Sequence, residues 1–192
     1  MNWITKFIKP KIKSLLKKRS AADNKAALWT TCECKNLIYK DELFSNLSVC
    51  PNCGSHHKLT CEERFKIFFD NKEYTILETP MPRDNPLQFP NYEEKLKKAR
   101  EKTKQPDAVL IADGKLDGMH VTVGAQNFNF IGGAIGAASG EAFIHGVQHA
   151  INNKTGFIFF SASGGQKMQE GAIALMQMTR TVLAVKIGRA HV

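Results

Sequence analysis

The sequence predicts an α/β domain preceded by a small cysteine module. From Asp107 onward, apolar runs of strand length alternate with helical patterns. Four of the five cysteines lie in two close pairs within residues 32–53. Two Gly-Gly pairs, at 132–133 and 164–165, each stand directly before a predicted helix. With 192 residues, of which 43% are hydrophobic, the chain is long enough to bury a core.

The first element is a basic arm with a short linker, residues 1–28. Residues 1–20 contain seven lysines and arginines and no acid, so they account for most of the net charge of +9. Apolar side chains alternate with them at roughly helical spacing, and Pro10 interrupts the pattern. The arm lacks the continuous apolar run of a signal peptide or a transmembrane helix. We therefore expect a cytoplasmic protein with no membrane span, whose arm packs loosely on a partner or contacts anionic lipid or nucleic acid.

Residues 29–58 form the predicted cysteine module. Its pairs are Cys32 with Cys34 and Cys50 with Cys53, in a chain without an export signal, which favours metal over disulfide. Four thiolates around one Zn²⁺ close a tetrahedral site, and such a site supplies folding free energy that a small module lacks. The sequence thus predicts a structural zinc ribbon with these four cysteines as ligands.

The first cysteine pair, "CEC", is one residue shorter than the usual C-x-x-C. If one of its thiols is not used, His56, His57 and Cys61 are the available replacement ligands. Each also has a simpler interpretation. The two histidines fit the surface of the turn after the second pair, and Cys61 fits a small buried apolar residue.

The segment between the module and the α/β region predicts two helices and a strand. "CEERFKIFFD" predicts a helix and "EYTILE" a strand, whereas the Pro-rich "TPMPRDNPLQFP" excludes regular structure. The charged stretch "YEEKLKKAREKTK" predicts the second helix, because its early acids and late bases suit the helix dipole. We expect the preceding Asn91 to cap this helix.

The α/β region begins with two or three strands in "AVLIADGKLDGMHVTVGAQNF", joined by turns at Asp113-Gly114 and Asp117-Gly118. A helix follows "NFIGGAIGAASG", with one face formed by Ile144, Val147 and Ile151. The run "TGFIFFSAS" predicts a strand buried on both sides. A last helix starts near Met168, and we expect its methionines to serve in helix packing.

The last seven residues, "KIGRAHV", do not fit the helix that they should continue. They match an in-frame translation of a common sequencing-adapter sequence. We therefore expect residues 186–192 to be a non-native tail and the native sequence to end near Val185.

The two Gly-Gly corners are the candidate catalytic feature. Glycine exposes peptide N–H groups and a helix N-terminus adds positive potential, so together they form an oxyanion hole. A tight turn or close helix packing is the alternative explanation of either pair. Phosphate binding has less support, because neither segment has a nucleotide-loop pattern. We expect Lys167, just after the second corner, to lie at the rim, where it neutralises a ligand or holds the turn.

These motifs together resemble the β subunit of bacterial acetyl-CoA carboxylase carboxyltransferase. The resemblance runs from residue 1 to about Val185, and it is carried by "WTTCEC", "CPNC", "DAV", "FNFIGGAIG", "FSASGGQKMQE" and "LMQM". It implies a crotonase-like domain of the ClpP/crotonase type over residues 59–185, a spiral of β-β-α turns. The domain is expected to be incomplete, because the family's chain continues through further turns.

The resemblance also implies a reaction, the transfer of a carboxyl group from carboxybiotin to acetyl-CoA. The product is malonyl-CoA for fatty-acid biosynthesis. Gly164 and Gly165 would be catalytic and present amides to the thioester oxygen as the enolate forms, while Gly132, Gly133 and Lys167 would bind substrate. Biotin left after CO₂ release would take the α-proton, so no side-chain base is needed.

The implied cofactors are a structural Zn²⁺ and biotin on a separate carrier protein. The implied partners are the carboxyltransferase α subunit in an α₂β₂ heterotetramer, the biotin carboxyl carrier protein, biotin carboxylase and acetyl-CoA. RNA binding by the ribbon would be a secondary activity. Because another glycine-rich wall of the family faces biotin beyond this sequence, we expect a chain ending near Val185 to be inactive alone and to expose core surface.

Two other functions compete with this one. A zinc-ribbon nucleic-acid-binding protein would use the basic arm and the ribbon, and its affinity would fall steeply with salt. It leaves the glycine corners unexplained. A crotonase-type hydratase needs two carboxylates above the thioester. Glu141 and Glu170 lie in the right segments, but they fit better as residues at helix starts.

Overall fold

The computed structural model describes residues 28–190, so nearly all of the predicted arm and linker, residues 1–27, lies outside the described residues. Residues 191 and 192 lie outside them as well. The chain divides into two compact units between Lys58 and Leu59. Within the described range, no helix combines the length and apolarity needed to cross a bilayer.

The described part of the first unit, residues 28–58, is a two-stranded antiparallel sheet with one short helix. Strand β1 (Trp29–Thr31) pairs with β2 (Leu37–Tyr39), and helix α1 (Lys40–Ser45) follows at once. Its buried apolar core consists of Ile38 and Leu43, packed with Cys32 and Cys50. A core of this size does not stabilise a fold by itself, so the unit needs a cross-link between its loops.

The second unit is built on a four-stranded sheet in the order β3-β4-β5-β6. Strands β3 (Tyr74–Ile76), β4 (Val109–Leu116) and β5 (Met119–Gln126) are antiparallel neighbours. Helix α4 (Ala137–Asn153) then leads to β6 (Gly156–Phe160), which lies parallel to β5. The β4–β5 hairpin followed by α4 is one β-β-α turn.

Three further helices complete this unit: α2 (Cys61–Phe68), α3 (Tyr92–Thr103) and α5 (Gly171–Ala190). Helix α2 begins with a capping box, in which the Thr60 hydroxyl accepts from Glu63 N–H and the Glu63 carboxylate accepts from Thr60 N–H. Short 3₁₀ turns occur at Asp70–Lys72, Ile131–Gly133 and Met168–Glu170.

The sheet is covered by helices on both faces. On one face Cys61 and Phe65 of α2 pack with strand residues that include Leu110 and Val123. On the other face Ala142 of α4 packs with Val109 and Ile111. Because β4 side chains alternate between two covered faces, the first four residues of the strand, 109–112, are all apolar and buried.

The predicted helices and strands are confirmed, but two details of the sheet differ. Only Asp117-Gly118 forms a turn, whereas Asp113-Gly114 lies inside β4. A Cβ on Gly114 would lie 2.6 Å from the Phe69 ring, so glycine is needed there for close packing and not for a turn. Strand β6 lies at the edge of the described sheet and is only half-buried, so its predicted burial on both sides is wrong.

The capping prediction for α3 is also wrong. Asn91 adopts a left-handed conformation with φ of 60° and its side chain makes no capping hydrogen bond. The predicted charge pattern is confirmed, with Glu93 and Glu94 in the first turn and Arg100 and Lys102 in the last. Backbone geometry at Asn91 therefore determines the start of this helix.

Helix α5 exposes large apolar side chains. Met176 and Met178 are exposed on this helix, and Met168 in the preceding 3₁₀ turn is 83% exposed, so the predicted helix packing of these methionines is not seen within the described residues. Further apolar side chains of α5 are exposed, among them Leu175 and Leu183, which agrees with the expected exposure of core surface. The helix continues through residues 186–190, contrary to the expected break near Val185. A non-native origin of residues 186–192 stays a prediction, which the nucleotide sequence of the gene tests.

Candidate functional site

The four paired cysteines form one cluster. The sulfur atoms of Cys32, Cys34, Cys50 and Cys53 all lie within 4.8 Å of one another. The Cys32–Cys53 pair is separated by 3.5 Å and the Cys34–Cys50 pair by 3.9 Å. Four thiolates around one Zn²⁺ at about 2.3 Å stand about 3.8 Å apart. The group therefore fits a single metal ion, and both cysteines of the short "CEC" pair belong to it.

The local backbone explains how the short pair reaches the cluster. Lys35 adopts a left-handed conformation with φ of 65° and donates its N–H to Cys32 O at 2.9 Å. Cys32 N–H in turn donates to Asn36 O at 3.0 Å. This tight loop between β1 and β2 replaces the missing residue of a C-x-x-C motif.

The environment of Cys50 favours the thiolate that metals require. Burial acts to raise the pKa of this thiol, but hydrogen bonds from the backbone N–H groups of Cys53 and Asn52, together with those from the Cys53 and Cys32 thiols, lower the pKa to about 7. Gly54, with φ of 72°, permits the turn that directs these N–H groups at the sulfur.

The replacement ligands considered for the metal lie elsewhere. Cys61 is 1% exposed in the core of the second unit and donates to Ala125 O at 3.1 Å. Burial raises the pKa of its thiol to about 11, so its interpretation as an inert buried residue is confirmed. His56 is exposed as expected, whereas His57 is half-buried, and neither belongs to the cluster.

The two glycine corners, which the sequence predicts separately, meet in the structure. Gly164 N–H donates to Gly132 O at 2.8 Å. Ile135 N–H donates to Gly165 O at 2.8 Å, and Ile135 O accepts from Lys167 N–H at 2.8 Å. Three main-chain hydrogen bonds thus hold the second corner and Lys167 against Gly132 and Ile135.

The amides of the second corner are not equivalent. Gly164 N–H has a protein acceptor in Gly132 O, so it is not open to a ligand in this structure, contrary to expectation. Gly165 N–H donates only locally, to the exposed Ser163 hydroxyl at 3.1 Å, which a ligand oxygen can displace. Gly165 has φ of 127° and open space where a side chain would stand. It is the better placed of the two predicted donors.

The first corner forms the wall beside this donor. Gly133 has φ of 64°, and a Cβ there would lie 2.0 Å from Ala162 O. Gly132 has φ of 66° but open space around the same position. The first corner therefore uses one glycine for close approach and the other for its backbone conformation.

Gln126 joins both corners, and sequence reasoning missed it. Its Nε2 donates to Gly133 O at 2.6 Å, and its Oε1 accepts from Ala162 N–H at 3.1 Å. The side chain is 5% exposed at the end of β5. The available signal was a polar residue directly after the apolar and small residues 123–125, because a buried amide needs partners.

Lys167 is not at the rim, as expected from the sequence, but is 2% exposed. Its Nζ lies 2.5 Å from Asp107 Oδ2 and 3.7 Å from Glu170 Oε1, and 5.5 Å above the Phe130 ring. The physical reason is that two buried carboxylates require a buried cation. Of the two roles predicted for Lys167, this placement fits holding the turn.

Glu170 also connects the starts of two helices. Its Oε2 accepts from Ala137 N–H at 2.6 Å, at the first residue of α4, where the N-cap glycine has no side chain. Its Oε1 accepts from Tyr92 OH at 2.6 Å at the start of α3. Burial and this bond raise the pKa of Tyr92 well above its usual value, so the phenol stays protonated.

The two glutamates considered for a hydratase are both engaged. Glu170 is occupied as a cap of α4, and Glu141 Oε1 lies 2.6 Å from Arg180 Nη1. The predicted role at a helix start fits Glu170 but not Glu141, which lies beyond the first turn of α4, and a carboxylate pair for hydration is not supported.

Comparison with known proteins shows the family of this chain. The family model described as "Carboxyl transferase domain" matches residues 84–186, more than half of the chain. This chain belongs to the carboxyl transferase domain family. Within the family, it is 42% identical over 191 residues to the acetyl-coenzyme A carboxylase carboxyl transferase subunit beta of Pelagibacter ubique (strain HTCC1062), covering 96% of this chain and 62% of the relative. For the subunit of the same name from Jannaschia sp. (strain CCS1), the identity is 39%, covering 97% of this chain and 59% of the relative.

The carboxyl transferase chain thus spans about three fifths of the length of these relatives. Solved structures agree on its fold. Transcarboxylase 12S matches with a TM-score of 0.55 at 22% identity, over 66% of this chain and 23% of that chain. A Pseudomonas malonate decarboxylase hetero-tetramer in complex with malonate matches with 0.52 at 22% identity, over 69% and 48%. The α/β fold is that of the crotonase-like carboxyltransferases, as predicted, and nothing in these comparisons supports the nucleic-acid-binding alternative.

Proposed function

We propose that this chain is part of a carboxyltransferase β subunit of acetyl-CoA carboxylase, which transfers the carboxyl group of carboxybiotin to acetyl-CoA and yields malonyl-CoA. The observation that carries the proposal is the 42% identity to the Pelagibacter subunit across 96% of this chain. The contact between the two glycine corners supports it, because it creates a backbone site beside an exposed amide.

The second corner suits stabilisation of an enolate. The thioester oxygen of acetyl-CoA would displace the Ser163 hydroxyl and accept from Gly165 N–H. One preorganised donor of this kind contributes about 2.7–4 kcal/mol to transition-state stabilisation. Gly164 holds the corner in place, and the Gly132-Gly133 corner forms the adjacent wall for the substrate.

The ionisable groups beneath the corner are unsuited to act as a general base. Asp107, Lys167 and Glu170 are buried and paired with one another. Carboxybiotin supplies, when bound, both the carboxyl group and, after release of CO₂, a base for the α-proton. The part of this chain is to hold the thioester, stabilise the developing charge and exclude water.

We propose that the cysteine cluster holds a structural Zn²⁺. The sulfur separations of 3.5 and 3.9 Å suit tetrahedral coordination. All four positions are then occupied by thiolates, so no site remains for a reactive water. Purified protein should contain about one zinc per chain, and a ratio near zero would refute the assignment.

The proposed partners are those of a multi-subunit carboxylase in the cytoplasm. They are the carboxyltransferase α subunit in an α₂β₂ assembly, the biotin carboxyl carrier protein and biotin carboxylase. The proposed domain limits are residues 29–58 for the zinc ribbon and 59–185 for the carboxyltransferase part. Separation of the two compact units between Lys58 and Leu59 supports this boundary.

The full-length protein, co-expressed with the α subunit, should catalyse malonyl-CoA-dependent carboxylation of biocytin. Gly165→Val should abolish most of this transfer, because it distorts the donor. Gly118→Val is the matched control, since Gly118 also has positive φ, 77°, and open space but lies in the β4–β5 hairpin. An assembled wild-type complex without transfer would refute the proposed function.

A further inference from the structure

Gln126 has a fixed backbone, and both polar atoms of its side chain form hydrogen bonds. It is the last residue of β5 and pairs with Val109 of β4, which fixes its main chain. Its side chain is 5% exposed, and the Oε1 that accepts from Ala162 N–H also lies 3.4 Å from Ser161 Oγ. A buried amide in such a position orders the groups around it, because each lost bond leaves an unpaired polar group.

The amide spans the two glycine corners. Nε2 donates to Gly133 O at 2.6 Å in the first corner. Oε1 accepts at 3.1 Å from Ala162 N–H, two residues before Gly164. Because one planar group makes both bonds, the corners cannot move apart without breaking one of them.

We infer that Gln126 is a positioning residue, whose amide sets the spacing of the two corners and thereby the direction of Gly165 N–H. This inference rests on the carboxyl transfer proposed above. Gly164 N–H bonds Gly132 O, so a shift of the first corner reaches the second directly. An oxyanion donor acts within a narrow range of distances, and a displacement of about 1 Å lowers rates about 100-fold.

An isosteric substitution separates positioning from packing. Gln126→Glu keeps the size of the side chain and an acceptor for Ala162 N–H. It replaces the Nε2 donor with an oxygen facing Gly133 O, so attraction across 2.6 Å becomes repulsion. We expect the first corner to move away from the second.

Gln177→Glu is the matched control. Gln177 is 3% exposed, donates to Ile173 O at 2.9 Å and accepts from Arg180 at 3.0 Å. It therefore has the burial and bonding of Gln126, but its partners lie within α5 and not in the corners. Arg180 would pair with the new carboxylate, so this variant controls for the substitution of a buried amide by a carboxylate outside the corners.

The first test uses the full-length protein assembled with its α subunit in the biocytin assay. Gln126→Glu should lower kcat by about 10–100-fold, with KM for malonyl-CoA changed by less than about threefold. Gln177→Glu should change both constants by less than about threefold. Equal losses in the two variants, or an unchanged kcat in Gln126→Glu, would overturn the inference.

The second test does not depend on activity. In the 192-residue chain, Gln126→Glu should speed hydrogen exchange of Gly164 N–H by about tenfold or more, because its acceptor belongs to the displaced corner. Gln177→Glu should leave this rate unchanged. An unchanged rate in Gln126→Glu would refute positioning by Gln126 even if the wild type transfers carboxyl groups. A wild-type complex without transfer would refute only the proposed function. The hydrogen-exchange rate of Gly164 N–H would then still test whether Gln126 positions the corners.

Discussion

The contact between the corners predicts that alanine substitution lowers stability by very different amounts at two adjacent glycines. Gly132 and Gly133 have nearly the same φ, 66° and 64°. Alanine at either position is disfavoured by roughly 1–2 kcal/mol in this left-handed region. Gly132→Ala should cost only this amount, because nothing lies within 4 Å of the added Cβ.

Gly133→Ala should cost considerably more. Its Cβ would lie 2.0 Å from Ala162 O and 3.1 Å from Ala162 C, and both are main-chain atoms that cannot rotate away. To relieve this contact the corners must separate by more than 1 Å by simple van der Waals geometry, about the amount that abolishes a hydrogen bond. Loss of the bonds from Gln126 to Gly133 O and from Gly164 to Gly132 O adds about 0.5–1.5 kcal/mol each. The total is about 2–5 kcal/mol.

Urea unfolding followed by circular dichroism measures both variants in the 192-residue chain. Gly118→Ala, in the exposed hairpin with φ of 77° and open space, serves as a second reference for the conformational cost alone. The free energy of unfolding of Gly133→Ala should be well below those of Gly132→Ala and Gly118→Ala. Equal losses at all three positions would show that the corners do not touch in solution.

Three further predictions concern the metal, the buried charges and an ion pair at the surface. Chelation of the metal should unfold the first unit and leave the second folded, because thiolate ligation and not a hydrophobic core stabilises the first unit. Limited proteolysis measures this, and a zinc ribbon that resists the protease in excess chelator would contradict it. Lys167→Met should cost about 3–5 kcal/mol, since Asp107 and Glu170 lose their buried cation, and Lys167→Arg should cost less; equal urea midpoints for these two variants would argue against the pairing. Asp84→Asn should lower the melting temperature at pH 7 but not in acid. The hydrogen bond from Arg100 holds the pKa of Asp84 below its usual value, so the stability it contributes is present above about pH 4 and is lost as the pH falls through its folded pKa. A difference that persists at pH 2 would contradict this cause.

Elements of the fold follow from periodicity, whereas their ends depend on contacts. The β4–β5 hairpin and helices α2 to α5 are predicted because apolar spacing is a local property. Asp113-Gly114 is misread as a turn because the same dipeptide also occurs where an aromatic ring, here Phe69, needs space. Asn91 is misread as a cap because a residue type that caps helices also tolerates left-handed backbone.

The cysteine cluster is predictable from the sequence, but the buried charges are not. Its ligands lie within one short segment and share one chemistry, so spacing alone indicates them. Lys167 and Asp107 are 60 residues apart, and Tyr92 and Glu170 are 78 apart. Nothing local distinguishes Lys167 from a surface lysine, because its partners arrive only when the sheet and helices α3 and α4 assemble.

The four corner glycines show why the residue type indicates the site but not its donor. Glycine permits a left-handed backbone, the close approach of another chain segment, or an amide that is open to a ligand. In this protein Gly132 has the first property, Gly133 the first two, and Gly165 the first and the third. Gly164 has a different role, since its N–H ties the corners together and a Cβ there would lie 3.3 Å from Gly132 O. The direction of an N–H depends on its acceptor, and that acceptor belongs to a segment about thirty residues away in the sequence. Assignment of the oxyanion donor therefore requires the contact between the corners, and that contact depends in turn on the amide of Gln126.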